Sequence, residues 1–220
     1  MKDNDWLEDP LVSTYREFKY KHLKDKAAQD SLWEDYHFCS RLKLDAADYY
    51  CRQLLGMAQL PYESGLPLLA HRQFKWSLDI FFFELVSAYD MVLQEINALY
   101  GLGLEPENVK WRTIKGNSKY IPNDLFDYMS KEWDSDWFRK VRDYRNTAAH
   151  RSYIWTSTSL GAFVNNTWDC NYHEVRLYRF NTEKKEIESE SEELSMCAEY
   201  LKEMVKHIKK IWNHMKSKFE

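Results

Sequence analysis

The 220-residue chain reads as an all-α protein, an up-and-down helical bundle with a small β-hairpin insertion before its last helix. Three observations predict this class. Apolar residues recur at helical spacing over several long stretches. Gly and Pro number only six and five, too few for a turn-rich fold. One segment, 151–182, drops the helical rhythm for β-branched and aromatic residues in partial alternation. With 44% hydrophobic and 16% aromatic residues, the chain can bury a sizeable core, which argues against disorder.

The elements follow in order. Leu11, Tyr15, Phe18 and Leu23, set among many charges, predict a weak amphipathic helix up to about Ala28. From Ser31 to about Leu60, Leu32, Tyr36, Cys39, Leu42, Ala46, Tyr49 and Leu54 sit near a 3.6-residue period. Pro61, Gly65 and Pro67 break that run, so residues 1–65 read as an N-terminal helical extension. The strongest helix comes next. Phe74, Leu78, Phe81, Phe82, Leu85, Tyr89, Val92, Leu93, Ile96 and Tyr100 form one apolar face. Trp76, Ile80, Phe83 and Met91 form a second, which makes this helix central, and Gly101 stops it at the C′ position.

Residues 101–135 are broken by Gly, Pro and Asn, with room for a short helix from Asp124 to Lys131. Asp134 or Ser135 can then N-cap a helix to about Ala149, whose apolar side is Trp137, Phe138, Val141, Tyr144 and Ala148. Tyr153–Thr158 and His173–Phe180 read as two strands joined by a long tip rich in Gly and Asn. Ser189 and Glu192 have the spacing of a capping box. The final helix follows on Leu194, Cys197, Leu201, Met204, Ile208, Ile211 and Met215, acidic at its start and Lys-rich at its end. No internal repeat or linker divides the chain, so 1–220 is expected to be one domain.

Composition narrows the function. A net charge of -4 excludes a surface that coats nucleic acid, so any polyanion site must be a local patch. Cys39, Cys51, Cys170 and Cys197 form no CxxC pair, which fits a reducing, cytoplasmic setting better than a disulfide framework or a zinc ribbon. The first residues lack the apolar run of a secretory signal. Ile80–Phe83, the most apolar run, is bracketed by Asp79 and Glu84, so no membrane association is expected.

The segment from Val141 to Arg151 carries the chemistry. Around Arg145 the basic residues Arg139, Lys140, Arg142, His150 and Arg151 cluster against one internal acid, Asp143. Such a patch suits a phosphate-bearing ligand. A solvated face paired with the acidic stretch near Glu190 is the plain alternative. Arg145 can grip a phosphate in a fork, Asn146 can add hydrogen bonds, and His150 can carry a proton near neutral pH. These are the parts needed to cleave RNA by internal transfer. The ribose 2′-oxygen attacks the adjacent phosphorus, the 5′-oxygen leaves, and neither a metal nor a cofactor is required.

On a regular helix, five residues turn through roughly 140°, so Arg145 and His150 would not share a face. Either the helix ends between them or a two-fold dimer composes the site from two copies; the dimer is the expectation adopted. Spacing alone carries little, since Arg16 and His22 share it without an adjacent amide.

Arg145-Asn146-Thr-Ala-Ala-His150 resembles the R-x4-6-H signature of the HEPN superfamily, in which a polar residue commonly follows the arginine. The setting resembles it too: a helical bundle, a long apolar helix upstream and an amphipathic helix downstream, over roughly residues 70 to 218. The resemblance implies a dimeric, metal-independent endoribonuclease acting on single-stranded RNA, in a family where many members are toxins or defend against phage. It implies Arg145, His150 and Asn146 as catalytic residues, with Arg142, Arg151, Arg139, Lys140 and Tyr153 contacting RNA or phosphate. An antitoxin or regulatory protein is the expected protein partner. The alternative is an inactive HEPN module that binds nucleotide, RNA or a partner protein.

Other features read more plainly. His207 and His214 lie two helical turns apart, too far for one zinc, and are expected as solvated surface histidines. Lys115–Lys119 reads as a plain loop. Asp79, Glu84 and Asp90 could orient Arg145, or could serve as exposed or structurally paired acids. Tyr144, Tyr153 and Trp155 are candidates for stacking on bases, with a core role as the more ordinary reading.

Overall fold

Long apolar periodicity becomes long helices. A computed structural model of the protein describes residues 27–58, 68–150, 154–164, 167–181, 186–216 and 218. The elements are α1 (Ala27–Ala58), α2 (Leu68–Leu99), α3 (Trp111–Gly116), α4 (Asn123–Trp133), α5 (Asp136–His150), β1 (Trp155–Val164), β2 (Thr167–Asn181), β3 (Glu186–Glu193) and α6 (Met196–Lys216). Two 3-10 turns, Pro106–Asn108 and Ser118–Tyr120, punctuate the broken stretch. The class is therefore the expected one, all-α with a small antiparallel sheet before the last helix. The weak helix expected from Leu11 lies outside the described residues as far as residue 26. None of the described helices is long and apolar enough to cross a membrane.

α2 ends where the sequence said it would. Gly101 has φ +61, a left-handed conformation that costs a residue with Cβ about 1 kcal/mol or more. Leu102 N–H returns to Asn97 O at 3.0 Å, taking up a carbonyl that the helix end leaves free.

The contacts divide the chain into two compact units. One comprises Ser87–Phe138 with the residues up to Lys43 and from Lys202 onward. Its core is aromatic: Trp111 stacks on Trp133 (5.4 Å), Trp133 meets Phe138 edge-on (5.5 Å), and Tyr89 meets Phe138 (4.8 Å). A buried polar knot sits in the same unit. Glu95 accepts from His37 Nδ1 (2.9 Å), Ser40 Oγ (2.7 Å) and Trp212 Nε1 (3.0 Å), while Trp33 stacks on His37 at 4.9 Å. A buried carboxylate is tolerated only when its lone pairs are filled in this way.

The other unit comprises Leu44–Val86 and Arg139–Leu201. Leu78, Phe81, Phe82 and Leu85 of α2 are fully buried, along with Val141 and Tyr144 of α5, Ile154, Leu177 and Cys197. Each fully buried Leu, Ile or Phe contributes about 1.5–3 kcal/mol. Cys51 and Cys197 are free thiols in this core. Burial pushes Cys51 up to about 11, so it stays a protonated, unreactive side chain near neutral pH.

The sheet is larger than expected. Its order is β1-β2-β3, all antiparallel. β1 and β2 run on to Val164 and Thr167, so residues expected to form a long tip are strand, with a register irregularity between Leu160 and Ala162. Ser189 and Glu192 do not form a capping box. They belong to β3, where Leu177 pairs with Glu192 and Tyr178 with Ser191, and α6 begins only at Met196. Pairing along one side with β2 supplies ladder hydrogen bonds at both ends of the segment, more than the two that a cap would supply.

Candidate active site

α5 owes its place to Phe138, Val141, Tyr144 and Thr147, whose spacing of three puts a buried stripe along one side. Asp136 in the first turn favours the helix start. The helix runs unbroken from Asp136 to His150. This excludes a helix end between Arg145 and His150, and the two positions stand roughly 140° apart around the axis. Arg142, Asn146 and His150 occupy one row, at i, i+4 and i+8, while Arg145 lies in the row beside the buried stripe. The side chain of His150, and all of Arg151 and Tyr153, lie outside the described residues.

Arg145 is half-buried, and its buried Nε meets no hydrogen-bond acceptor among the described residues. A buried donor left unpaired costs about 1–3 kcal/mol, so a ligand or ordered water that accepts from it is favoured there. Asn146 and Arg142 are half-buried and Arg139 is exposed.

Lys140 is engaged elsewhere. Its Nζ lies 2.8 Å from Glu192 Oε1, so the pairing with the acidic stretch is realised for this residue. Glu192 Oε2 also accepts from Tyr144 Oη (3.0 Å) and Tyr200 Oη (2.5 Å). Burial pushes the Glu192 carboxyl up, but the donors Lys140, Tyr200 and Tyr144 outweigh it and hold the group below its ordinary range. Tyr144 is wholly buried and stacks on Phe82 (4.7 Å, 24°), so it is core and cannot receive a base. The side chain of Trp155 lies outside the described residues.

Among the described residues, Asp79 interacts with Ile154 and Lys75. The Ile154 N–H donates to its carboxylate, and Lys75 Nζ donates to Ile154 O (2.9 Å) and Thr156 Oγ1 (2.6 Å). Burial pushes Asp79 up and Lys75 down; the attraction between the two opposes both shifts.

His207 was expected at the surface and is 1% exposed. It sits one turn from Met204 and Ile211 on the apolar side of α6, among Tyr89, Trp137 and Phe138. Its Nδ1 bonds Tyr128 Oη at 3.0 Å, and burial lowers it to about 3, so it is neutral. His214 Nδ1 pairs with Asp124 Oδ2 at 2.8 Å. Both histidines therefore have structural partners.

Sequence reasoning missed Lys75 and the convergence on Glu192. The second left a visible signal: Glu186, Glu188, Glu190 and Glu192 alternate with Ile187, Ser189 and Ser191, a strand period in place of a helix start. The first left none, because a lysine on the flank of an apolar helix is ordinary.

No curated protein and no solved structure matches the chain. The family model described as HEPN_Cthe2314-like HEPN matches residues 22–220, which takes in α1, set apart by the sequence reading as an extension, as well as the motif on α5. A match over nearly the whole chain, joined to a helical fold with an Arg–Asn–x–x–x–His motif on one unbroken helix, shows that the protein belongs to the Cthe2314-like HEPN family.

Proposed function

We propose that this protein is a metal-independent endoribonuclease that cleaves single-stranded RNA as a homodimer. The observation that carries the reading is the placement of Arg145, with a buried Nε that finds no acceptor among the described residues, on a helix that continues through His150. A phosphate supplies the oxygens that such a guanidinium needs.

In this reading the 2′-hydroxyl loses its proton as its oxygen bonds to phosphorus, and the bond from phosphorus to the 5′-oxygen breaks. The products are a 2′,3′-cyclic phosphate and a 5′-hydroxyl, the leaving oxygen having taken up a proton. His150 moves the proton, Arg145 balances charge on the phosphoryl oxygens, and Asn146 adds a hydrogen bond. Arg142, Arg139, Arg151 and Tyr153 guide the strand. Lys140 is left out, since Glu192 engages it. Because Arg145 and His150 lie on different rows of one helix, each site draws one of them from each copy.

Uncontrolled cleavage of RNA would harm the host. The reading therefore places the protein in the cytoplasm as a toxin or defence factor held in check by an antitoxin or regulatory protein. The test is incubation of the purified protein with single-stranded RNA in EDTA. Cleavage with cyclic-phosphate ends is expected to persist, and to fall by about a thousandfold or more in Arg145→Ala and His150→Ala. No cleavage by the wild type, with RNA binding retained, would establish an inactive binding module instead.

A further inference from the structure

The chain downstream of the motif is held in an unusual way. Ile154 stands four residues past His150 and one before Trp155, the first residue paired in the β1–β2 ladder. Its backbone groups would ordinarily be satisfied by a strand or by water. Instead both are taken by side chains of one helix. The N–H donates to Asp79, and the carbonyl accepts from Lys75 Nζ at 2.9 Å. The same ammonium reaches Thr156 Oγ1 at 2.6 Å, past the start of the ladder. Lys75 and Asp79 are one turn apart on α2, so their side chains lie side by side. The Ile154 side chain is fully buried.

Three restraints thus converge on one residue: two charged groups on its backbone and the core around its side chain. Phe82, two turns along α2 from Lys75, packs on Tyr144, the neighbour of Arg145. One helix therefore packs against Tyr144, beside Arg145, and holds Ile154, the first described residue past His150.

We infer that Lys75 and Asp79 are positioning residues for the ribonuclease site, fixing the chain beyond His150 through the backbone of Ile154. The inference rests on the proposed reaction, in which the histidine must meet the phosphate in a set geometry. A general acid or base displaced by about 1 Å loses rate while the substrate is still bound. Neither residue touches RNA. Their effect belongs on kcat, with KM little changed.

The test compares wild type with Lys75→Met, Lys75→Arg, Asp79→Asn and Thr156→Val. RNA cleavage is measured alongside amide hydrogen exchange at Ile154 and, as a control in α5, at Val141. In Lys75→Met and Asp79→Asn, kcat is expected to fall about tenfold or more with KM within about threefold, while Ile154 exchanges about tenfold faster and Val141 is unchanged. Lys75→Arg, which keeps a cationic donor, should recover most of the rate. Thr156→Val removes one of the two acceptors and should give a smaller loss of the same kind. Wild-type kcat in Lys75→Met, despite faster exchange at Ile154, would overturn the positioning role. So would a loss of cleavage that Lys75→Arg fails to rescue. If the wild type cleaves no RNA, the ribonuclease reading fails on its own, and Ile154 exchange still decides the clamp: unchanged exchange in both variants refutes it.

Discussion

Arg145 stands half-buried on α5, one residue before Asn146 and five before His150. The motif was legible because Arg, Asn and His are rare companions within a basic stretch. That the Arg145 Nε is buried without an acceptor was not legible, since burial of one nitrogen depends on packing from distant elements. His207 shows the opposite failure: its spacing from His214 drew attention, while its place beside Met204 and Ile211 on the apolar side went unread. Its burial has a measurable consequence. The folded protein holds His207 at about 3, against an ordinary 6.5, so the unfolded chain binds a proton there first as pH falls. Stability is unaffected by this group above about pH 6.5, then drops by about 1.4 kcal/mol per pH unit until about pH 3. Urea unfolding across that range should show a shallower pH slope in His207→Phe than in wild type, and equal slopes would show that the histidine is not held neutral.

Among the elements, α2, α4 and α5 were readable to within a few residues, because apolar periodicity and breakers such as Gly101 act locally. β3 was not. Its alternating glutamates resemble an acidic helix start, and only pairing with Leu177 and Tyr178 decides between the two. The cost of misreading it is chemical as well as topological, since Glu192 gathers Lys140, Tyr144 and Tyr200. Glu192→Ala would remove the carboxylate on which the Lys140 ammonium and the Tyr144 and Tyr200 hydroxyls converge. A loss of about 2 kcal/mol is expected after discounting for partial exposure. Denaturant unfolding checks this, and a change within about 0.5 kcal/mol would mean that the convergence adds little. Because Glu192 is held below its ordinary range, its contribution is present above the carboxylate's unfolded pKa and fades as pH falls through the lowered folded value.

For the molecule as a whole, the family match over residues 22–220 takes in α1 as well as the motif. The break read from Pro61, Gly65 and Pro67 lies outside the described residues. What no single chain can display is a site shared between copies, because symmetry lies outside the sequence. The unbroken α5 makes that sharing a concrete expectation. The decisive measurement mixes Arg145→Ala and His150→Ala protein, each inactive alone, under conditions that allow subunits to exchange. Random exchange at equal amounts makes about half of the dimers mixed, each with one intact site of two, so about a quarter of wild-type RNA cleavage should return. If Arg145 and His150 instead act within one copy, no mixed dimer holds an intact site, and the mixture stays as inactive as its parents.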